Sequence, residues 1–265
     1  MVEYYKLDKI LTVGTTYQMP PDRFYVIRKI GTDDTSAIKL VIDGVETGEI
    51  TQAVAPIHKT SSYLFGPVDL GDLYYVVPPD KTFEVEGTAS KHMRVIGQIG
   101  KLAPGEAMPS QHLARFNAQG KHYLAYVSDS LSFSASGTWA AGIEQELYSL
   151  TPKTVETYIF NNYVGIDVSG DTFSAGDIGV RFFIDGTPLD MLTSDPGHKG
   201  LDLLSFPAYD DVATNEVPFS LKDLPINVLG DHTFTIKLIN NTGSTYTFSA
   251  DTTFTLYAIT EYMQK

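Results

Sequence analysis

The sequence predicts an all-β fold: two antiparallel β-sandwich or jelly-roll domains in tandem, related by an internal duplication. Three observations predict it. The chain of 265 residues is 12% aromatic and only 19% charged, with 16 Tyr, and such side chains suit a pleated, half-buried surface better than a helix. Short apolar runs alternate with turn signals along most of the chain, the spacing of sandwiches and jelly rolls. Three blocks also recur in the same order, and a recurring block outranks local structure as a guide to fold. Ala37-Ile38-Lys39-Leu40-Val41-Ile42-Asp43-Gly44 returns as Gly179-Val180-Arg181-Phe182-Phe183-Ile184-Asp185-Gly186. Leu70-Gly71-Asp72 returns as Leu229-Gly230-Asp231, and Thr82-Phe83-Glu84-Val85 as Thr245-Tyr246-Thr247-Phe248.

In the first domain, residues 1–102, strands are expected in order at Thr12 to Tyr17 before Pro20-Pro21, Phe24 to Ile27, and Ile38 to Ile42 before Asp43-Gly44. Further runs follow at Glu49 to Val54, Ser61 to Phe65, Leu73 to Val77 before Pro78-Pro79, Thr82 to Glu86, and Met93 to Ile99. Asp-Gly and Pro-Pro end strands because they favour turn backbone. Residues 103–121 lose the alternation and read as a connection between domains.

The second domain, 122–265, begins with the run His122 to Val127. Trp139 to Leu150 reads as a short helix, because Ile143, Leu147 and Leu150 are spaced three to four apart. Strands are expected near 154–160, 163–169, 178–184, 232–239, 244–250 and 253–260. Asn241-Thr242-Gly243 reads as the turn of a hairpin joining Phe234–Ile239 to Tyr246–Phe248. Asp185 lies 142 residues after Asp43 and Asp231 lies 159 after Asp72, so the second copy gains 17 residues within a long loop at 187–228. Asp195, His198, Lys199, Tyr209, Asp210 and Asp211 are its candidate exposed interaction residues. A loop of this length reads equally as a neutral insertion or a binding loop.

Composition excludes several classes. Without Cys there is no disulfide, thiolate zinc site or thiol nucleophile. No apolar run is long enough to span a membrane as a helix. Met1 to Asp8 lacks a basic and then apolar leader, so no secretion signal is expected. The net charge of −13 is uneven: residues 1–102 hold 11 Lys+Arg against 13 Asp+Glu, and residues 103–265 hold 8 against 19. The acidic half repels phosphate, which argues against nucleic acid and anionic lipid as partners.

Six histidines, His58, His92, His112, His122, His198 and His232, stand apart with no metal-binding spacing. Ser130-Leu131-Ser132 and Ser134-Ala135-Ser136 read as polar positions along a strand, not as a nucleophile elbow. Most acids stand in turns, as Asp33-Asp34, Asp43-Gly44 and Asp185-Gly186 do, where turn chemistry accounts for them. Glu84 and Glu86 share a strand but have Lys81 and Lys91 nearby, poor company for a glycosidase acid pair. Calcium is conceivable at Asp33-Asp34 or Asp210-Asp211, though neither belongs to a known loop pattern. Tyr4-Tyr5, Tyr74-Tyr75, Tyr123, Tyr126, Tyr158 and Tyr163 are candidates for stacking on sugar rings, or for the core. No phosphate loop occurs, and no cofactor is expected.

The regular strands, the doubled Ile-Asp-Gly and Leu-Gly-Asp frame, and alternation such as Thr233-Phe234-Thr235-Ile236 together resemble the tandem (double) jelly-roll structural proteins of icosahedral viruses. The resemblance covers the whole chain. Major shell proteins of that kind are generally longer, so it implies a vertex, turret, penton, spike or minor shell (capsid) subunit. It implies no enzymatic activity and no catalytic residue. Its implied partners are the chain itself as a cyclic homo-oligomer, other virion structural proteins, and a host surface glycan or receptor. The implied location is the virion, assembled in host cytoplasm, with the first domain in the assembly and the acidic second domain outward. Two other readings stay open: a carbohydrate-binding or adhesin module, and a β-sandwich glycoside hydrolase.

Overall fold

The computed structural model describes residues 2–60, 65–189, 200–208 and 219–265. The chain divides into two units, Met1–Tyr126 with Glu261–Gln264, and Val127–Thr260 with Lys265. The fold is all-β, built from antiparallel sheets.

In the first unit β1 (Glu3–Thr12), β2 (Tyr17–Gln18), β3 (Arg23–Thr32), β4 (Lys39–Ile42), β5 (Val45–Glu46), β6 (Val68–Asp69), β7 (Tyr75–Val77), β8 (Thr82–Glu86) and β9 (His92–Lys101) form two sheets. One runs β1-β9-β3, with β6 and β7 end to end along the far side of β3. The other runs β2-β8-β4-β5. Successive strands cross between sheets from β1 to β4, a jelly-roll-like order. Alternation drives it: in β8, Phe83 and Val85 are buried while Thr82 and Glu86 are exposed, as period-two patterning requires. At Arg28 β3 bulges, and the register with β9 shifts between Ile27 and Lys29. Gly97 faces the bulge, where an added Cβ would stand 1.9 Å from the Val26 carbonyl oxygen; only glycine admits so close a backbone approach.

The segment read as a connection carries a helix, α1 (Ser110–Ala118), that belongs to the first unit. Its buried face is polar. Arg115 donates to the Tyr74 and Leu73 carbonyls at 2.7 and 2.9 Å. The fully buried Gln119 accepts from Val76 N–H at 2.8 Å and donates to Val76 O at 3.1 Å. Its amide thus pairs with β7 as a neighbouring strand would.

In the second unit the strands are β10 (His122–Phe133), β11 (Thr138–Trp139), β12 (Glu144–Leu150), β13 (Glu156–Phe160), β14 (Tyr163–Ser169), β15 (Ile178–Ile184), β16 (Thr187–Pro188), β17 (Leu201–Asp202), β18 (Phe219–Ser220), β19 (Ile226–Leu229), β20 (Phe234–Asn240), β21 (Tyr246–Thr247) and β22 (Thr252–Gln264). The strands β10 and β22 continue across the boundary into the first unit. One sheet has β10, β14 and β13 on β22, then β18 on β14 and β19 on β13. The other runs β12-β20-β15, with β16 and β17 on β15. The core holds Trp139, Phe160, Phe182, Phe206, Phe234 and Phe254, all 2% exposed or less.

With split strands counted once, the main sheets of the two units share a strand order, while the β11-β21 pair and β17 have no counterpart among the described strands of the first unit. β4 and β8 pair with Lys39 opposite Glu86 and Ile42 opposite Phe83. β15 and β20 pair in the same register, Arg181 opposite Lys237 and Ile184 opposite Phe234. The turns match as well: Asp43 and Gly44 have φ of 52° and 74°, Asp185 and Gly186 50° and 75°. The Asp43 N–H donates to Thr82 O and the Asp185 N–H to Thr233 O, both at 2.8 Å.

This register corrects the repeat. The counterpart of Thr82–Val85 is Thr233–Ile236, not Thr245–Phe248, which lies beyond β20. Leu70-Gly71-Asp72 leads into β7, whereas Leu229-Gly230-Asp231 leads into β20. The offset grows from 142 at Asp43 to 151 at Thr82, so the gain between these marks is 9 residues, not 17.

Other expectations also change. Trp139 to Leu150 is β11, a turn and β12 rather than a helix. A bulge between Glu146 and Tyr148 turns both Leu147 and Tyr148 inward, and so mimics helical spacing. β20 and β21 are not hairpin partners, because β21 pairs with β11 and β20 with β12 and β15. The Asn240 carboxamide turns the chain there, donating to Trp139 O and Ser244 O and accepting from Thr242. Glu49 to Val54 makes a single bridge, Ile50 to Ile38, before a turn. Ser134-Ala135-Ser136 is a turn, with Ser136 at φ 67°.

Candidate functional site

Asp195, His198, Lys199, Tyr209, Asp210 and Asp211 lie outside the described residues. Several acids of the described turns are held by backbone and side-chain groups of other segments. Asp34 accepts from Ser36 N–H at 3.0 Å, Thr88 N–H at 2.9 Å and the Thr88 hydroxyl at 3.1 Å. Burial pushes its carboxyl up, but these donors outweigh it and hold the pKa below the usual 3.8. Asp33 accepts from the His92 N–H and ring at 2.7 and 2.8 Å. Asp171, which no motif marks, accepts from the Ser249 hydroxyl and N–H, Ala250 N–H and Tyr246 hydroxyl. The Ser249 hydroxyl leads in lowering its pKa. Glu84 takes the Thr16 hydroxyl at 2.8 Å, while Glu86 lies 3.5 Å from Lys39. These carboxylates fasten loops and strands.

Three histidines also meet carboxylates: His92 with Asp33, His122 with Glu261 at 2.5 Å, and His232 with Asp185 at 2.6 Å. The last repeats a contact of the first unit, where Lys81, next to Thr82, reaches Asp43 at 2.8 Å. The same turn acid therefore holds a lysine in one unit and a histidine in the other. His112 is buried between the Tyr4 and Tyr74 hydroxyls, 3.4 and 3.2 Å away, and burial lowers its pKa. Among the described residues no group of three or more His, Asp or Glu is placed to hold a metal ion.

Most tyrosines named from the sequence are engaged. Tyr75 is fully buried, its pKa pushed up to about 12 by desolvation; Tyr123 stacks on Tyr262 at 4.8 Å. Tyr74 lies under Arg28 and Tyr163 under Lys222. Tyr4 and Tyr5, on β1, are 44% and 51% exposed. A hollow of about 200 Å³ beside Tyr5 is lined by Arg23, Ile99 and Lys101. In the second unit a larger one, about 370 Å³, is lined by Ile166, Asp171, Phe173, Leu203 and Phe206 among others.

The two outer margins of the first unit's β1-β9-β3 sheet differ. The β7 margin is sealed by Gln119 and Arg115. At the other margin stands β1, ten residues paired throughout with β9, and among the described residues no strand pairs with its far side. An open edge presents unpaired N–H and C=O groups to another chain. This edge, with exposed Tyr4, Tyr5 and Ile10, is the candidate site.

No family model matches the chain, and no curated protein resembles it in sequence. Among solved structures it is similar to the major capsid protein P2 of bacteriophage PM2, at 13% identity over 100% of this chain and 97% of that one, with a TM-score of 0.33. A conserved protein of unknown function from Pseudomonas aeruginosa matches at 7% identity over 97% and 79%, TM-score 0.22. The ANXUR2 extracellular domain of Arabidopsis thaliana matches at 10% identity over 95% and 83%, TM-score 0.26. Scores at this level assign neither a detailed fold nor a function. No described helix is long and apolar enough to cross a membrane.

Proposed function

We propose that this chain is a virion structural protein, a vertex, turret or spike subunit that works through self-assembly and surface contacts rather than catalysis. What supports the reading is the likeness of the two units: a shared order of main-sheet strands, the same β4/β8 and β15/β20 register, and the same Asp-Gly turn. We take the units as copies of one jelly roll. Single jelly rolls serve lectins and cupins as well as shells, so the tandem, not the barrel, favours a shell subunit. A chain carrying two like units offers related surfaces for cyclic contacts between copies. Its partners on this reading are its own copies and other virion proteins, with the acidic second unit available to a host receptor.

Negative-stain electron microscopy of the concentrated full-length protein tests this. Closed rings or shell-like particles are expected; a field of single monomers at every concentration overturns it. Carbohydrate binding is a second reading, favoured by the exposed Tyr5 beside its hollow. It predicts glycan-array binding that is lost in Tyr5→Ala.

A further inference from the structure

The open edge of the first unit has a sign pattern that fits itself. Leu7 and Leu11 of β1 are buried, whereas Tyr4, Lys6, Asp8 and Ile10 are exposed, so the even-numbered side chains share the outer face. The backbone shows which residues reach the free margin. Val13 N–H continues the ladder to Lys91 O, while Thr12 N–H reaches only the Tyr17 hydroxyl at 3.0 Å. Odd residues therefore turn their backbone groups to β9, and even residues turn theirs outward. Backbone donors, acceptors and exposed side chains of Tyr4, Lys6, Asp8 and Ile10 lie on one margin.

We propose that β1 pairs with β1 of a second copy of this chain, antiparallel, on a two-fold axis passing through Leu7. In that register Lys6 stands opposite Asp8 of the second copy and Tyr4 opposite Ile10, each twice by symmetry. Every such pair exchanges both of its N–H···O bonds. Charge sets the register. A slide of two residues one way brings Lys6 against Lys6, and the other way Asp8 against Asp8. Charged residues on an edge strand ordinarily keep copies apart; here their order admits one alignment and opposes its neighbours. The two-fold joint is isologous. One strand pair is a small interface, so it suits a subunit concentrated in a larger assembly. The pairing rests on the self-assembly reading for its setting, and the two fail separately: a chain that oligomerises with β1 free overturns the pairing alone.

The test uses full-length chains and sedimentation at rising concentration. Lys6→Glu places like charges across the axis and is expected to weaken self-association on the order of tenfold. Asp8→Lys does the same with opposite sign. An equimolar mixture of the two variants restores opposite charges at every contact, and is expected to recover association that neither variant shows alone. Asp8 also holds Arg94 at 2.8 Å, so each variant's thermal melt is recorded. Should Asp8→Lys fail to fold, oxidative cross-linking replaces it. The chain has no cysteine, and Tyr4→Cys mixed with Ile10→Cys is expected to form a disulfide-linked pair, since the opposed Cα atoms stand within disulfide reach. Association unaffected by Lys6→Glu, a mixture no stronger than its parts, or no cross-link between the thiols overturns the pairing.

Discussion

Gln119 shows how one side chain can stand in for a strand. Its carboxamide is fully buried and meets both the N–H and the C=O of Val76. Gln119→Ala strands both backbone groups in the interior and is expected to cost about 2–4 kcal/mol, since an unsatisfied buried polar group costs roughly 1–3 kcal/mol; urea denaturation measures it. Asp33 and Asp34 set a pH limit. Both carboxyls are held below their usual 3.8 in the fold, against the push of burial, by hydrogen bonds from His92 and from Thr88 and Ser36. A depressed folded pKa means stability that is fully present above the unfolded value and lost as pH falls through the folded one. Urea midpoints should hold from neutrality down to about pH 5 and decline below it. Asp34→Asn should be less stable at neutrality and show a shallower acid decline; an unchanged slope would remove Asp34 from the cause.

At the scale of elements, the bulge at Arg28 depends on Gly97. Gly97→Ala forces a Cβ into the Val26 carbonyl and is expected to destabilise by about 1–3 kcal/mol, read as a lower thermal midpoint. Strands with clean alternation were legible: β8 is Thr82–Glu86 and β14 is Tyr163–Ser169, as the letters predict. β12 was not, because its bulge puts adjacent Leu147 and Tyr148 on one side and breaks the period. β1 was missed for another reason. Its apolar residues do not alternate, since Tyr4 stands beside Tyr5 and Ile10 beside Leu11, with Lys6, Asp8 and Lys9 between them, so the strand that forms the candidate site showed no period-two signal. α1 lacked signal because its buried face is His112, Arg115 and the adjoining Gln119, polar residues satisfied by distant backbone.

For the whole molecule, the Ile-Asp-Gly block marked strands with one pairing register, β4 and β15, whereas the Leu-Gly-Asp block marked turns before different strands and the Thr-aromatic block marked β8 and β21, which pair differently. Only pairing register separates such matches, because Leu-Gly-Asp serves any turn that opens a strand. The same register carries the Asp43–Lys81 contact over to Asp185–His232. The same turn acid therefore meets a different side chain in each unit, and the two halves also differ in charge. If the proposed role as a structural subunit is right, the chain works by association. The most direct measurement is its mass in solution by light scattering, on the full-length chain over a wide concentration range. The account predicts a closed oligomer, a whole-number multiple of the 29.1 kDa chain, that persists or grows with concentration. A mass of one chain at every concentration would contradict it.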